Sequence, residues 1–208
     1  MVQGLQTEVR ETRKADEINS YLTRIQHTAL QSDRDAQRLV TAGVVPILIQ
    51  LLKIRGAAGD GLEGVMVALG LVAHDPISAN TIYRTNTATT LIEIFRSSLN
   101  DDVATLAIWC LNRICRSADI AIGLLRLGIA KLLTTKLFQS SGTLLSRTAA
   151  WCFGGLILND GIADELEMAG ASGSLVSHLG QVTALSTSTP DDICAALYPI
   201  ARLSRSIK

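Results

Sequence analysis

Apolar residues recur at three- and four-residue intervals along most of the chain, in short stretches broken by Asp, Ser, Asn, Gly or Pro. That spacing puts apolar side chains on one side of a 3.6-residue turn, so it predicts a succession of amphipathic helices. One set is short: 33–42, 75–85, 117–127 and 159–169. A second set opens after Gly43, Asn86, Gly128 and Gly170, with VVPILIQLLK, TATTLIEIFRSS, IAKLLTTKLFQSS and ASGSLVSHLGQV. A third reads LEGVMVALGLVA, DVATLAIWCLNRIC, LLSRTAAWCFGGLIL and DDICAALYPIARL. The breaks carry matching chemistry. Asp33, Asp75, Ser117 and Asn159 are helix N-capping residue types. Asp75-Pro76 and Thr189-Pro190 pair a cap with a proline at the first helical position, and Pro46 lies near another start. Glycine closing a short helix suits the left-handed turn that ends it.

These elements repeat. Cys110, Cys152 and Cys194 stand 42 residues apart, as do Trp109 and Trp151. Gly128 and Gly170 keep the same step, and Asn86 lies 42 before Gly128. Asp33, Asp75, Ser117 and Asn159 form another 42-step series. Independent landmarks with one period identify a solenoid of stacked three-helix units. The expected units are an N-terminal capping helix and partial repeat over 1–32, then repeats 33–74, 75–116, 117–158 and 159–208, together one domain. In the partial repeat, DEINSYLTRIQHTALQ has helical periodicity, and Ile25 lies two periods before Trp109. The charged stretch from Thr7 to Lys14 is expected to supply the polar cap that a solenoid end needs. Arg55 to Gly61 and Thr183 to Thr189 read as mobile loops between second and third helices, because Gly, Thr and Ser dominate them.

The wording within the period resembles the armadillo repeat family. AGVVPILIQLL is similar to its second-helix opening, and LAIWCLNRI and RTAAWCFGGL to its third-helix pattern, over roughly residues 18 to 208. The resemblance implies an all-α, right-handed α–α superhelix of about four three-helix repeats, with the third helices lining a concave groove. In peptide-binding members a Trp is followed four residues later by an Asn that clamps an extended peptide. Here those Asn positions are Arg113 and Gly155, while the other repeats offer Val67 with Leu71 and Ile193 with Leu197. Asn112 is one residue out of register, about 100° around the helix. A helix or a folded surface therefore suits this groove better than an extended basic peptide.

Residues four before and seven after the Trp positions share its face. They define a candidate partner-binding groove of Glu63, His74, Thr105, Trp109, Arg113, Arg116, Arg147 and Trp151, with Thr189, Leu158 and Ile200 on the corresponding positions. Arg and Trp are the residues on which interfaces most often turn. The tryptophans read equally well as core. Cys110, Cys152 and Cys194 are expected as free thiols in the core, since stacked helices stand too far apart for disulfides. Acidic pairs at Asp101-Asp102, Asp164-Glu165 and Asp191-Asp192 read as helix-start charges. Gly154 and Gly155 read as points of close helix approach.

Composition narrows the function classes. Nineteen basic and nineteen acidic side chains cancel, which argues against a nucleic-acid binder. No apolar run nears the roughly 18 residues that cross a bilayer, and the polar start is unlike a secretory leader, so a cytoplasmic or nuclear place is expected. Charged residues are 18% and mean hydropathy is +0.30, so apolar surface is either stacked internally or meets a partner. His27, His74 and His178 fall in different units, and no nucleophile motif, phosphate loop or metal-ligand spacing accompanies them. No cofactor or metal is implied. The expectation is a non-catalytic protein-interaction scaffold using the third-helix groove. The alternative is a homodimer or a subunit of a larger complex, joined through an apolar C-terminal end at Leu197, Ile200 and Leu203.

Overall fold

The computed structural model describes residues 1–9, 14–58, 61–139 and 143–206. Among the described residues there are fourteen helices and no strand. Val2–Thr7 (α1) and Ala15–Gln31 (α2) come first. The short helices are Asp33–Thr41 (α3), Pro76–Arg84 (α6), Ala118–Arg126 (α9) and Asp160–Met168 (α12). Second helices are Val44–Ala58 (α4), Thr87–Ser97 (α7), Ile129–Gln139 (α10) and Ala171–Ala184 (α13). Third helices are Leu62–Val72 (α5), Asp101–Ile114 (α8), Leu144–Leu156 (α11) and Pro190–Ser206 (α14).

Local chemistry sets the boundaries. Asp75, Ser117 and Asn159 cap α6, α9 and α12 through their side-chain oxygens. For α3 the cap is Ser32, whose Oγ accepts from Asp35 N–H, and Asp33 is instead the first helical residue. Gly43, Asn86, Gly128 and Gly170 have φ of +84°, +61°, +82° and +79°, the left-handed turn from first to second helix. Asn is the L-residue that best tolerates this region, which is why it can stand in the glycine series. Thr189 and Asp192 form a reciprocal cap on α14. The Thr189 N–H and hydroxyl donate to Asp192 Oδ2, at 2.8 and 2.6 Å, while Asp192 N–H donates back to Thr189 Oγ1. Asp101-Asp102 and Asp191-Asp192 lie in first turns, whereas Asp164-Glu165 sit in the middle of α12.

α2, α5, α8, α11 and α14 pack side by side in one row, with the second helices packed behind them. A single aliphatic core runs between the layers. At the N-terminal end α1 lies against α2 and α4, burying Leu5, with Val9 buried just beyond it. Residues 10–13 of the expected polar cap lie outside the described residues. The stretch from Arg55 to Ala58 is helix rather than loop, as its alanines favour. Arg55 fastens it by donating to Gly61 O and Asn19 Oδ1. Gly59 and Asp60 lie outside the described residues. Likewise Thr183 and Ala184 belong to α13.

One step of the period breaks. Buried Val103, Ala107 and Leu111 of α8 and its C-cap Cys115 fall 42 residues before buried Leu145, Ala149 and Phe153 of α11 and its C-cap Ile157. From α11 to α14 the step is 46: Ser146, Ala149, Ala150, Phe153 and Ile157 correspond to Asp192, Ala195, Ala196, Pro199 and Leu203, all buried. The four extra residues enter at the lengthened α13 and the bend after it, since Gly128 to Gly170 still spans 42. The consequence is a one-turn displacement. Cys194 therefore corresponds to Thr148, not Cys152, and is exposed rather than a core thiol. Leu197, not Ile193, takes the position of Trp109 and Trp151.

Candidate partner-binding face

The outward side of the third-helix row carries one such position per helix: Val67, Trp109, Trp151 and Leu197. Val67 and Trp109 are half-buried, whereas Trp151 is 41% and Leu197 44% exposed. The two tryptophans differ because their neighbours differ. Gly70 of α5 has no side chain, and the Trp109 ring fills the space where its Cβ would be. Beside Trp151 stands Tyr198 of α14, with ring centroids 4.6 Å apart at 40°, over the bare backbone of Gly154. Asn112 lies in the same way over Gly155. Both glycines of the pair thus mark close helix approach.

The other expected groove residues divide into free and committed. Glu63 and Arg116 are exposed. Arg113 is half-buried and donates from Nε to Gly70 O at 3.1 Å. Burial first, and the Arg116 charge second, lower its pKa. Arg116 Nε donates to Arg113 O. Arg147 is not a free cation: its Nε lies 3.0 Å from Asp192 Oδ1, and its Nη1 3.9 Å from Asp191. The Asp192 carboxyl is held below the usual range by the Thr189 hydroxyl and N–H and then by Arg147. Thr105 does not line the surface, because it is buried and its hydroxyl is spent on Asp101 O at 2.6 Å. His74 is largely enclosed, its Nε2 3.0 Å from Asp75 Oδ2 and its Nδ1 near Val72 O. It braces the α5–α6 corner rather than facing a ligand.

Tyr198 was missed from sequence, and Leu197 was placed at the Asn position and the apolar end, because a strict 42-residue period puts Ile193 in the Trp register. The signal that finds them is the burial pattern of α14, with Asp192, Ala195, Ala196, Pro199 and Leu203 four residues late. The expected apolar end also shrinks. Leu203 is buried, Ile200 half-buried, and Leu197 belongs to the third-helix face.

Cys110 and Cys152 are buried thiols, as expected, and so is Cys115. Burial pushes Cys110 and Cys115 up to about 12 and raises Cys152 as well. Cys110 donates to Met66 O across the α5–α8 contact. Among the described residues no group of three His, Cys, Asp or Glu could hold a metal.

His178 sits at 1% exposure in α13, its ring bonded to the Leu137 backbone in α10 and its Nδ1 without a partner. Burial lowers its pKa below 6.5. The unfolded chain therefore binds a proton at a pH where the folded chain does not, so stability falls as pH drops below about 6.5. Thermal melts from pH 8 to pH 5 are expected to show that loss, and His178→Leu to flatten it. An unchanged slope in the variant would assign the loss elsewhere.

Neither a protein-family model nor a curated protein matches the chain. Solved structures do. A designed armadillo repeat protein superposes with a TM-score of 0.79 at 18% identity, covering 97% of this chain and 81% of its own. Another, in complex with the peptide (KR)4, gives 0.80 at 18% identity over 99% and 85%. A third, computationally designed for modular peptide recognition, gives 0.76 at 18% identity over 97% and 81%. With the three-helix period, the left-handed turns and the row of third helices, these matches establish that the chain has an armadillo-type repeat fold.

Proposed function

We propose that this protein is a non-catalytic interaction scaffold that binds a protein partner on its third-helix face. The observation that carries this reading is Trp151, a large rigid apolar side chain held 41% exposed against Tyr198, with Leu197 44% exposed at the same position on the next third helix. A soluble fold gains by covering such surface, and Trp with Arg is the composition of interface anchors. A stacked solenoid presents that surface already ordered, which lowers the entropy cost of association. The structural neighbours include one complexed with a peptide, which supports a binding role for the fold.

The test is capture from the native lysate with wild type and with Trp151→Glu/Arg116→Glu, both side chains lying outside the core. A partner retained by wild type and lost by the variant, with helical content unchanged by circular dichroism, is the expected result. Equal retention by both would remove this face from the function.

A further inference from the structure

The third-helix face carries its anchors in a regular series. Val67, Trp109, Trp151 and Leu197 occupy the same position on α5, α8, α11 and α14. Packed helices stand 8–10 Å apart, so these anchors repeat at about 10 Å along the row. Exposure rises toward α14, reaching 41% at Trp151 and 44% at Leu197. One turn further on stand Leu71, Arg113, Gly155 and Ala201, with a single carboxamide, that of Asn112, lying over Gly155. An extended segment laid here would bring backbone N–H and C=O groups that Arg113 and Asn112 can pair only beside α8 and α11, and desolvating the rest unpaired is costly. A helix brings its backbone already bonded. Along a helix, side chains seven residues apart lie on one side at about 10.5 Å, which matches the anchor spacing.

Charge then selects among helices. Arg116 is exposed and forms no ion pair among the described residues. Arg113 lies beside it, the two cations repelling each other, with Asp33 acting on Arg113 only at a distance. Arg147, by contrast, is neutralised by Asp192. The unmet positive charge therefore lies at the C-terminal end of α8, one to two turns beyond Trp109. Resting on the reading of this face given above, we infer that its occupant is an amphipathic partner helix laid along the repeat axis. Large apolar residues at i, i+7 and i+14 seat on Trp109, Trp151 and Leu197. A Glu or Asp beside the residue that meets Trp109 engages Arg116.

Fluorescein-labelled peptides of 21 residues test this by anisotropy. The first has three Leu spaced by seven in an Ala/Gln helix, with Glu flanking the terminal Leu residues. The second has the same composition with Leu spaced by five, the third has Lys for Glu, and the fourth is (KR)4. The first is expected to bind at least about tenfold tighter than each of the others, tenfold corresponding to 1.4 kcal/mol. Arg116→Glu is expected to invert the Glu–Lys preference, and Trp151→Glu to weaken the first peptide by about tenfold or more. Indifference to spacing, tightest binding of (KR)4, or no helical peptide bound below about 1 mM each overturns the helix. If lysate capture still depends on Trp151 in that event, the face remains the binding face and only its occupant changes.

Discussion

Trp109→Ala is expected to cost about 3 kcal/mol of stability, and Trp151→Ala less than about 1 kcal/mol. The two residues share a sequence motif, a register and a face, so sequence reasoning ranks them together. Their surroundings separate them. Trp109 covers Gly70, and truncation would strip the α5–α8 contact of the ring that fills it. It would also expose Gly70 O, where Arg113 donates at 3.1 Å, to competing water. Trp151 loses only its contact with Tyr198 and a surface that is already 41% in solvent. At 2–4 °C per kcal/mol for a chain of this size, the first substitution should lower Tm by about 6–12 °C and the second by less than about 4 °C. Partner binding should show the opposite order of directness: Trp151→Ala weakens it in a protein of nearly native stability. Equal melting temperatures for the two variants would mean that Trp109 is not a packing residue.

The fold was legible because its signals are local and repeated. Asp75, Ser117 and Asn159 cap short helices, and Gly43, Asn86, Gly128 and Gly170 turn them, by chemistry that needs no distant partner. The site was legible only in part, because exposure depends on what the neighbouring repeat places opposite. Whether a tryptophan is core or surface turns on Gly70 in one case and Tyr198 in the other, each about one repeat away. Arg147 reads from sequence as a groove cation, whereas Asp192, 45 residues on, holds it. The displaced register of α14 was the hardest to read. Cys194 keeps the 42-residue spacing by coincidence, while the four extra residues before it move the helix by about one turn. A period counted from one residue type cannot detect an insertion compensated in this way, whereas the burial pattern of the whole helix can.

Gly154→Ala tests that register directly and is expected to destabilise the protein by about 2–3 kcal/mol. Helix propensity alone argues the reverse, because alanine inside α11 gains about 1 kcal/mol over glycine. The gain is outweighed by where the new methyl points. A Cβ at Gly154 would overlap the Tyr198 ring and lie 3.3 Å from the Pro199 Cα, which is backbone and cannot turn aside. Relief requires α14 to move off α11, and with it the Arg147–Asp192 pair and the bond from Arg202 to Ile157 O. In a Tyr198→Ala background the ring overlap disappears while the Pro199 contact remains. The cost of Gly154→Ala should then shrink to about 1 kcal/mol, a coupling of about 1–2 kcal/mol measurable in a double-mutant cycle. Gly155→Ala is the internal contrast, since it meets the Asn112 carboxamide, a side-chain end free to swing toward solvent. If Gly154→Ala instead raises Tm, α14 does not pack on α11 in the 46-residue register, and Leu197 and Tyr198 leave the proposed binding face with it.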